Sequence, residues 1–361
     1  MTNPSSPIVL ATPAESVRSA ETPAKPTKAS RIPALDFTKG VLVLIMVLYH
    51  WMNYFLNLGW TYYRYLHFLT PSFIFITGFM VSRVYLSKYA AADRRLPKRL
   101  FTRGLKLIAI FLTLNLARAF VIDVLRTGVV MQDQLDPRNL FAVFVSGNVP
   151  AASGKLVAFW ILVPISYLLM LSGALVLPYR SFKYTFHMVC VILLLSITVL
   201  GLTGAQSPNL ECIAIGMLGL LVGFTPIEAI NDFVRHPYAL AFAYLCYAFA
   251  ITIWDVPFPL LIVGVALSLM VIYLVGSSGS KSGTIRNEVT LLGKYSLLGY
   301  MSQIAILQVL SAGFRHTNLG YAALVLSFFA AFALTVVSVE LVDRARARTA
   351  SVDTLYKAVF A

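Results

Sequence analysis

Apolar residues in this chain come in long, nearly unbroken runs parted by short polar stretches, not in the one-faced stripes of a soluble helix. A helix that crosses a bilayer needs about 20 mostly apolar residues. Ten runs approach that length: 38–57, 65–86, 104–122, 155–177, 186–203, 209–227, 237–254, 257–275, 289–311 and 319–342. The seventh and eighth are parted only by Asp255 and Val256, with Pro257 and Pro259 just beyond, a turn signal suited to a membrane face. The pattern predicts an all-α polytopic bundle of about ten transmembrane helices. Residues 123–154 form the one long polar connection after the first span, with "QDQLDPRN" at 132–139. No repeat of fixed period and no two-half symmetry is evident, which counts against a transporter built from inverted repeats.

Composition agrees. Of 361 residues, 58% are hydrophobic and only 12% charged, about half the charge of an ordinary soluble domain. The net charge of +14 raises nucleic acid as a partner, but the basic residues gather on no single face. They punctuate the apolar runs, as topogenic charge does, and a nucleic-acid partner is excluded on that ground. Lys25, Lys28, Arg31 and Lys39 precede or open the first span, and a dense cluster from Lys88 to Lys106 follows the second. Arg180 with Lys183, Arg235, Lys281 with Arg286, and Arg344 to Arg348 complete an alternation in which every second connection is basic. The positive-inside rule then places both termini in the cytosol. Residues 1–30, rich in Pro, Ser, Thr and Ala, read as a disordered cytosolic leader, and residues 346–361 as a cytosolic tail. Cys190, Cys212 and Cys246 show no metal spacing and no disulfide framework, and read as small buried residues.

The first span carries the most chemistry. Lys39 and His50 are eleven residues apart, which at 100° per residue leaves them about 20° from the same helical face. Asp36, Asn53 and Asn57 fall near that face, making a polar stripe on an otherwise apolar helix. The rise from Lys39 to His50 is about 16 Å, so a lysine at the surface puts the histidine near mid-bilayer. Ionisable groups at that depth commonly line a cavity or a substrate path; the bland alternative is a structural histidine bonded to a neighbouring helix. An imidazole with an unperturbed pKa of about 6.5 suits general-base work. Lys39 is too distant to act on the same atom, and suits pairing with Asp36 or meeting an anion.

Other constellations are weaker. "RRLPKRLFTRGLKLI" at 94–108 is a cationic entry to a helix, read either as plain topology or as a phosphate dock built on Arg99, Arg103 and Lys106. Thr77 and Gly78 lie on the second span, where a small residue admits close packing. Glu211 opens the sixth span, and Tyr300 and Gln303 share a face of the ninth; all three are cavity candidates. Glu340 and Asp343 stand where Arg344 and Arg346 can neutralise them. No phosphate-binding glycine loop, nucleophile elbow or zinc-helix motif is present.

In order, these features resemble the acyltransferase-3 family and its wider transmembrane acyltransferase superfamily. Arg31, Leu35, Asp36, Lys39, Gly40 and His50 fit that family's first-helix pattern, including the spacing of ten between a basic residue and the histidine, with Lys in the usual Arg position. Phe73 to Phe79, "FIFITGF", is similar to its second-helix motif with Thr for Ser, and Leu292 to Leu297, "LGKYSL", to a late one. Many members have a histidine where this chain has Gln303, and their outer-loop acid is replaced by proline within "FWILVPISY" at 159–167. "FWILVPISYLLMLSGALVLP" and "LGKYSLLGYMSQ" look closest to the branch that succinylates osmoregulated periplasmic glucans.

The resemblance implies a transmembrane acyltransferase domain over residues 31–345 in a bacterial inner membrane. Cytosolic acyl-coenzyme A would be the co-substrate, giving up an acetyl or succinyl group, with no bound cofactor and no metal, and the acceptor a hydroxyl of an extracytoplasmic glycan or lipid-linked sugar. It implies His50 as base, Lys39, Arg99, Arg103 and Lys106 at the donor, Asp36 and Thr77 in support, and Asn53 as a guess for the group that polarises the thioester oxygen. The residues alone leave other classes open: a secondary transporter using the polar stripe as its path, or a non-catalytic envelope partner.

Overall fold

The computed structural model describes residues 32–56, 60–87, 95–126, 137–147, 159–278, 283–314 and 320–360. The expected leader, Arg31, Asn57, the basic residues 88–94, Lys281 and much of the long 123–154 connection lie outside the described residues. Side chains are described for fewer residues: those at 60, 119 and 121–140 are left aside.

Among the described residues every regular element is helical. α1 (Pro33–Trp51) opens on a proline, whose missing N–H costs nothing in a first turn, and runs into a π-helical turn at Met52–Leu56. α2 (Trp60–Tyr63), a 3-10 turn (Arg64–Leu66), α3 (Leu69–Met80) and a second π turn (Val81–Leu86) make the next span. Then come α4 (Arg95–Arg126), α5 (Pro137–Val145), α6 (Leu162–Ser181), α7 (Thr185–Leu202), α8 (Pro208–Val222), α9 (Ile227–Val234) and α10 (Pro237–Ile253). The chain ends in α11 (Phe258–Ser278), α12 (Thr284–Lys294), α13 (Ser296–Phe314), α14 (Tyr321–Arg348) and α15 (Ala350–Phe360).

Eight of these helical stretches are long and apolar enough to cross a membrane among the described residues, nine if α8 and α9 count as one span bent by 102°. That is compatible with an integral multi-pass membrane protein. All ten expected apolar runs are helical, but two fall short of a straight crossing. α10 has only 17 residues, and the sixth run breaks at Pro226. The ninth run also differs from its sequence reading: it is cut at Tyr295 into the amphipathic α12 and the apolar α13. Within the fourth run α6 starts at Leu162, and residues 155–158 lie outside the described residues.

Glycine sets the closest helix contacts, as small residues do where apolar lipid gives helices no other reason to associate. A Cβ on Gly40 would stand 1.9 Å from the Val289 carbonyl oxygen, and one on Gly293 1.7 Å from that of Asp36. α1 and α12 therefore touch backbone to backbone. Several hydroxyls within the spans satisfy themselves: Thr38, Ser72, Thr77, Ser166 and Thr335 each donate to the carbonyl one turn back, whereas those of Ser172 and Ser268 find no partner among the described residues. Leu202, Phe242, Phe249, Val309 and Phe329 face outward, as lipid contact requires. Cys190 and Cys212 are buried as expected, whereas Cys246 is exposed on α10.

α5 is tied down chiefly by one side chain, that of Asn209. Asn209, 2% exposed at the start of α8, accepts from Trp160 Nε1 at 3.0 Å and donates to the carbonyls of Val143 and Phe144 at 2.8 and 3.2 Å. Tyr167 adds a bond to the Phe144 carbonyl at 2.9 Å. The short helix is held against α6 and α8 by polar groups that would otherwise be buried without partners.

Candidate active site

A cavity of about 310 Å³ opens among α1, α3, α4, α6, α12, α13 and α15. Four cations reach it: Lys39, Arg103, Lys106 and Lys294. Lys39 Nζ is 2.6 Å from Asp36 Oδ1, and Lys294 Nζ 2.8 Å from Asp343 Oδ1. Among the described residues neither Arg103 nor Lys106 has a carboxylate partner. Arg103 lies over the Tyr85 ring, 5.4 Å from its centroid, and donates to the main-chain carbonyl of Phe360 at 3.4 Å. Tyr85, Tyr295, Tyr356 and Phe360 supply aromatic walls. Cations between aromatic faces suit a ligand that has both phosphate and a planar ring.

Away from the cationic end the walls turn apolar, with Met46, Phe73, Ile76, Ile161, Ile165 and Leu169, and the cavity reaches Tyr300. The Tyr300 ring stands 6.4 Å from His50 and 5.9 Å from Phe159. His50 also meets the edge of Tyr49 at 5.1 Å. His50 is half-buried behind Tyr300 and does not itself line the cavity. Among the described residues Phe159 is the one non-glycine residue with a positive φ, 67°. For a side chain with a Cβ that conformation costs about 1–2 kcal/mol. Phe159 offsets it by burying its ring, 6% exposed, against Tyr300.

No family model, curated protein or solved structure matches the chain. The site therefore stands on its own geometry. Among the described residues no group of three or more His, Cys, Asp or Glu is placed to hold a metal ion.

Lys39, Thr77, Arg103, Lys106 and Tyr300 are brought together around the cavity, with Asp36 bound to Lys39 just outside it. Thr77 Oγ1 spends its proton on the Phe73 carbonyl at 2.8 Å. Arg99 lies 5.9 Å from the Tyr85 ring but does not line the cavity. Asn53 is exposed. It sits in the π turn, whose wider winding shifts the register that an unbroken α-helix would have given it. Glu211 lies in the first turn of α8 and is not a lining residue. Gln303 is fully buried, and its carboxamide oxygen and nitrogen have no hydrogen-bond partner among the described residues. Arg344 pairs with Glu340, as expected, whereas Asp343 is bonded directly by Lys294 and Tyr295, with the Arg346 charge acting on it from behind the Tyr295 hydroxyl.

Arg346 also fastens α15. Its Nε and Nη2 donate to Asp353 Oδ1 at 2.9 and 2.6 Å, its Nη1 to the Tyr295 hydroxyl at 2.9 Å, and its guanidinium lies 4.0 Å from the Tyr356 ring centroid. Hydrogen bonds from Lys357 and Arg346 hold the Asp353 carboxyl below the usual aspartate range. Burial pushes the Tyr356 phenol up to about 12. The segment read as a plain tail is thus a helix that walls the cavity. Its sequence carries the signal: Val352, Leu355, Tyr356, Val359 and Phe360 repeat at i, i+3, i+4, i+7 and i+8. Tyr85 and Lys294 carry no such mark.

Proposed function

We propose that this chain is a membrane-embedded O-acyltransferase that uses acyl-coenzyme A. Its bundle makes ten crossings of a bacterial inner membrane, with both termini in the cytosol. The observation that carries this reading is a single cavity that joins a cationic, aromatic-walled mouth to Tyr300, the ring packed beside His50. Arg103 and Lys106 hold the phosphates, the aromatic side chains face the adenine, and the thioester reaches toward Tyr300. A sugar hydroxyl of an extracytoplasmic glycan or lipid-linked sugar approaches from the far side. Its oxygen bonds to the thioester carbon while His50 takes its proton. The carbon–sulfur bond breaks with its electron pair on sulfur, and the proton passes from His50 to that thiolate, giving an ester and free coenzyme A. His50 is restored.

Positioned base catalysis contributes about 10²–10⁴ in rate, so His50→Ala should lose acyl transfer by that factor with unchanged membrane insertion. The test measures coenzyme A release by reconstituted protein, together with the mass of surface glycans from cells that carry each variant. Undiminished transfer by His50→Ala, or solute flux with no coenzyme A released, overturns the reading.

A further inference from the structure

The cavity is chemically divided, and the division bears on which acyl group it takes. Its four cations are Lys39 in the second turn of α1, Arg103 and Lys106 in the first half of α4, and Lys294 at the end of α12. Beyond them the lining residues Met46, Ile76, Met80, Ile161, Ile165 and Leu169 offer no charged group and no N–H donor from a side chain. Met46 lies seven residues past Lys39, about 10 Å further along α1, and is 2% exposed. The side-chain hydroxyls near this stretch are those of Thr77, which already donates to the Phe73 carbonyl, Ser296 and Tyr300.

We propose that the acyl group accepted here is short and uncharged (acetyl to butyryl) and that the apolar lobe excludes succinyl and other acyl groups ending in a carboxylate. This rests on the acyl-transfer reading. With the thioester near Tyr300 and the phosphates at Arg103 and Lys106, a succinyl carboxylate would be stripped of water among methionine and isoleucine side chains. An ionised carboxylate buried without a partner is strongly disfavoured, whereas a methyl group in the same place gains from burial. The preference thus runs opposite to the glucan-succinylating branch that two stretches of the sequence resemble.

Coenzyme A itself probes the mouth, and the acyl chain adds the lobe, so a calorimetric series on the full chain in detergent separates the two claims. Coenzyme A should bind, and butyryl-coenzyme A should bind at least about tenfold more tightly than succinyl-coenzyme A. Met46→Lys, which keeps an unbranched side chain and adds a cation, should narrow or reverse that ratio, with Met46→Leu leaving it unchanged. If succinyl-coenzyme A binds as tightly as butyryl-coenzyme A, the acyl preference is wrong while the donor site stands. Failure of coenzyme A and every acyl form to bind removes the donor site, and the preference with it. Should Met46→Lys fail to fold, the wild-type series decides alone.

Discussion

Arg103, near the start of the third apolar run, donates a hydrogen bond to the main-chain carbonyl of Phe360, one residue before the end of the chain. The two are 257 positions apart in sequence, so the last helix is part of the wall around the cationic mouth. The guanidinium is divided between that carbonyl, the Tyr85 ring and the cavity. Arg103→Ala should weaken coenzyme A binding by about tenfold or more, and Arg103→Lys should restore little of it, because a planar fork fits both phosphate and ring and an ammonium does not. Calorimetric titration of the two variants checks this.

Docking of α15 should be insensitive to pH from about 5 to about 9. Asp353 has its carboxyl lowered by Lys357 and Arg346, so its contribution is complete above the free aspartate value of about 3.9 and fades only in stronger acid. Tyr356 is raised to about 12 by burial, so it opposes docking only once pH passes the free phenol value of about 10. A nitroxide on Ala358 should keep one mobility across that window and become mobile outside it. A transition near pH 6–7 would contradict the assigned contacts.

Gly40→Ala should destabilise the bundle by about 3 kcal/mol, since its methyl would meet the Val289 carbonyl at 1.9 Å and neither backbone can yield without separating α1 from α12. Gly313→Ala is the matched control, with nothing within 4 Å of its added carbon, and should change stability by less than about 0.5 kcal/mol. Thermal unfolding in detergent distinguishes them.

Asn209→Ala should cost about 2–4 kcal/mol, because it strands Trp160 Nε1 and two carbonyls of α5 at once. Proteolysis near residues 137–147 should accelerate with it, and Asn209→Asp should fail to rescue because it cannot donate to those carbonyls.

Tyr300 links the cavity to His50 by its ring. Tyr300→Phe keeps both ring contacts and should retain acyl transfer within about tenfold. Tyr300→Ala removes them, lets His50 and Phe159 shift, and should cost at least about a hundredfold. Turnover rates of the two variants decide the matter.

Much of this was legible in advance wherever local chemistry fixed the outcome. Among the described residues the hydrophobic runs located the eight helices long and apolar enough to cross a membrane, because lipid demands length and polarity that few other structures share, whereas α5 lies in the stretch read as a polar connection. The spacing of Asp36 and Lys39 forecast their ion pair. Two causes hid the rest. Periodicity arguments assume one winding, so the π turn at Met52–Leu56 took Asn53 off the face it was counted on. Cross-chain convergence has no local trace: Tyr85 matters through what it meets, and the motifs that contain Lys294 and Phe159 do not say what those side chains touch. α15 is the instructive middle case, with a visible amphipathic repeat and an unannounced destination.

The first helix is gripped along its whole described length. Gly40 is pressed on Val289, Val43 lies 3.1 Å from the position a Gly299 Cβ would take, and Trp51 donates to buried Ser327 at 3.0 Å. A part held at so many points behaves as a stator. His50 stands one residue from an anchored tryptophan on that helix, so any change that displaces it must first break the contacts at Gly40, Gly299 or Ser327.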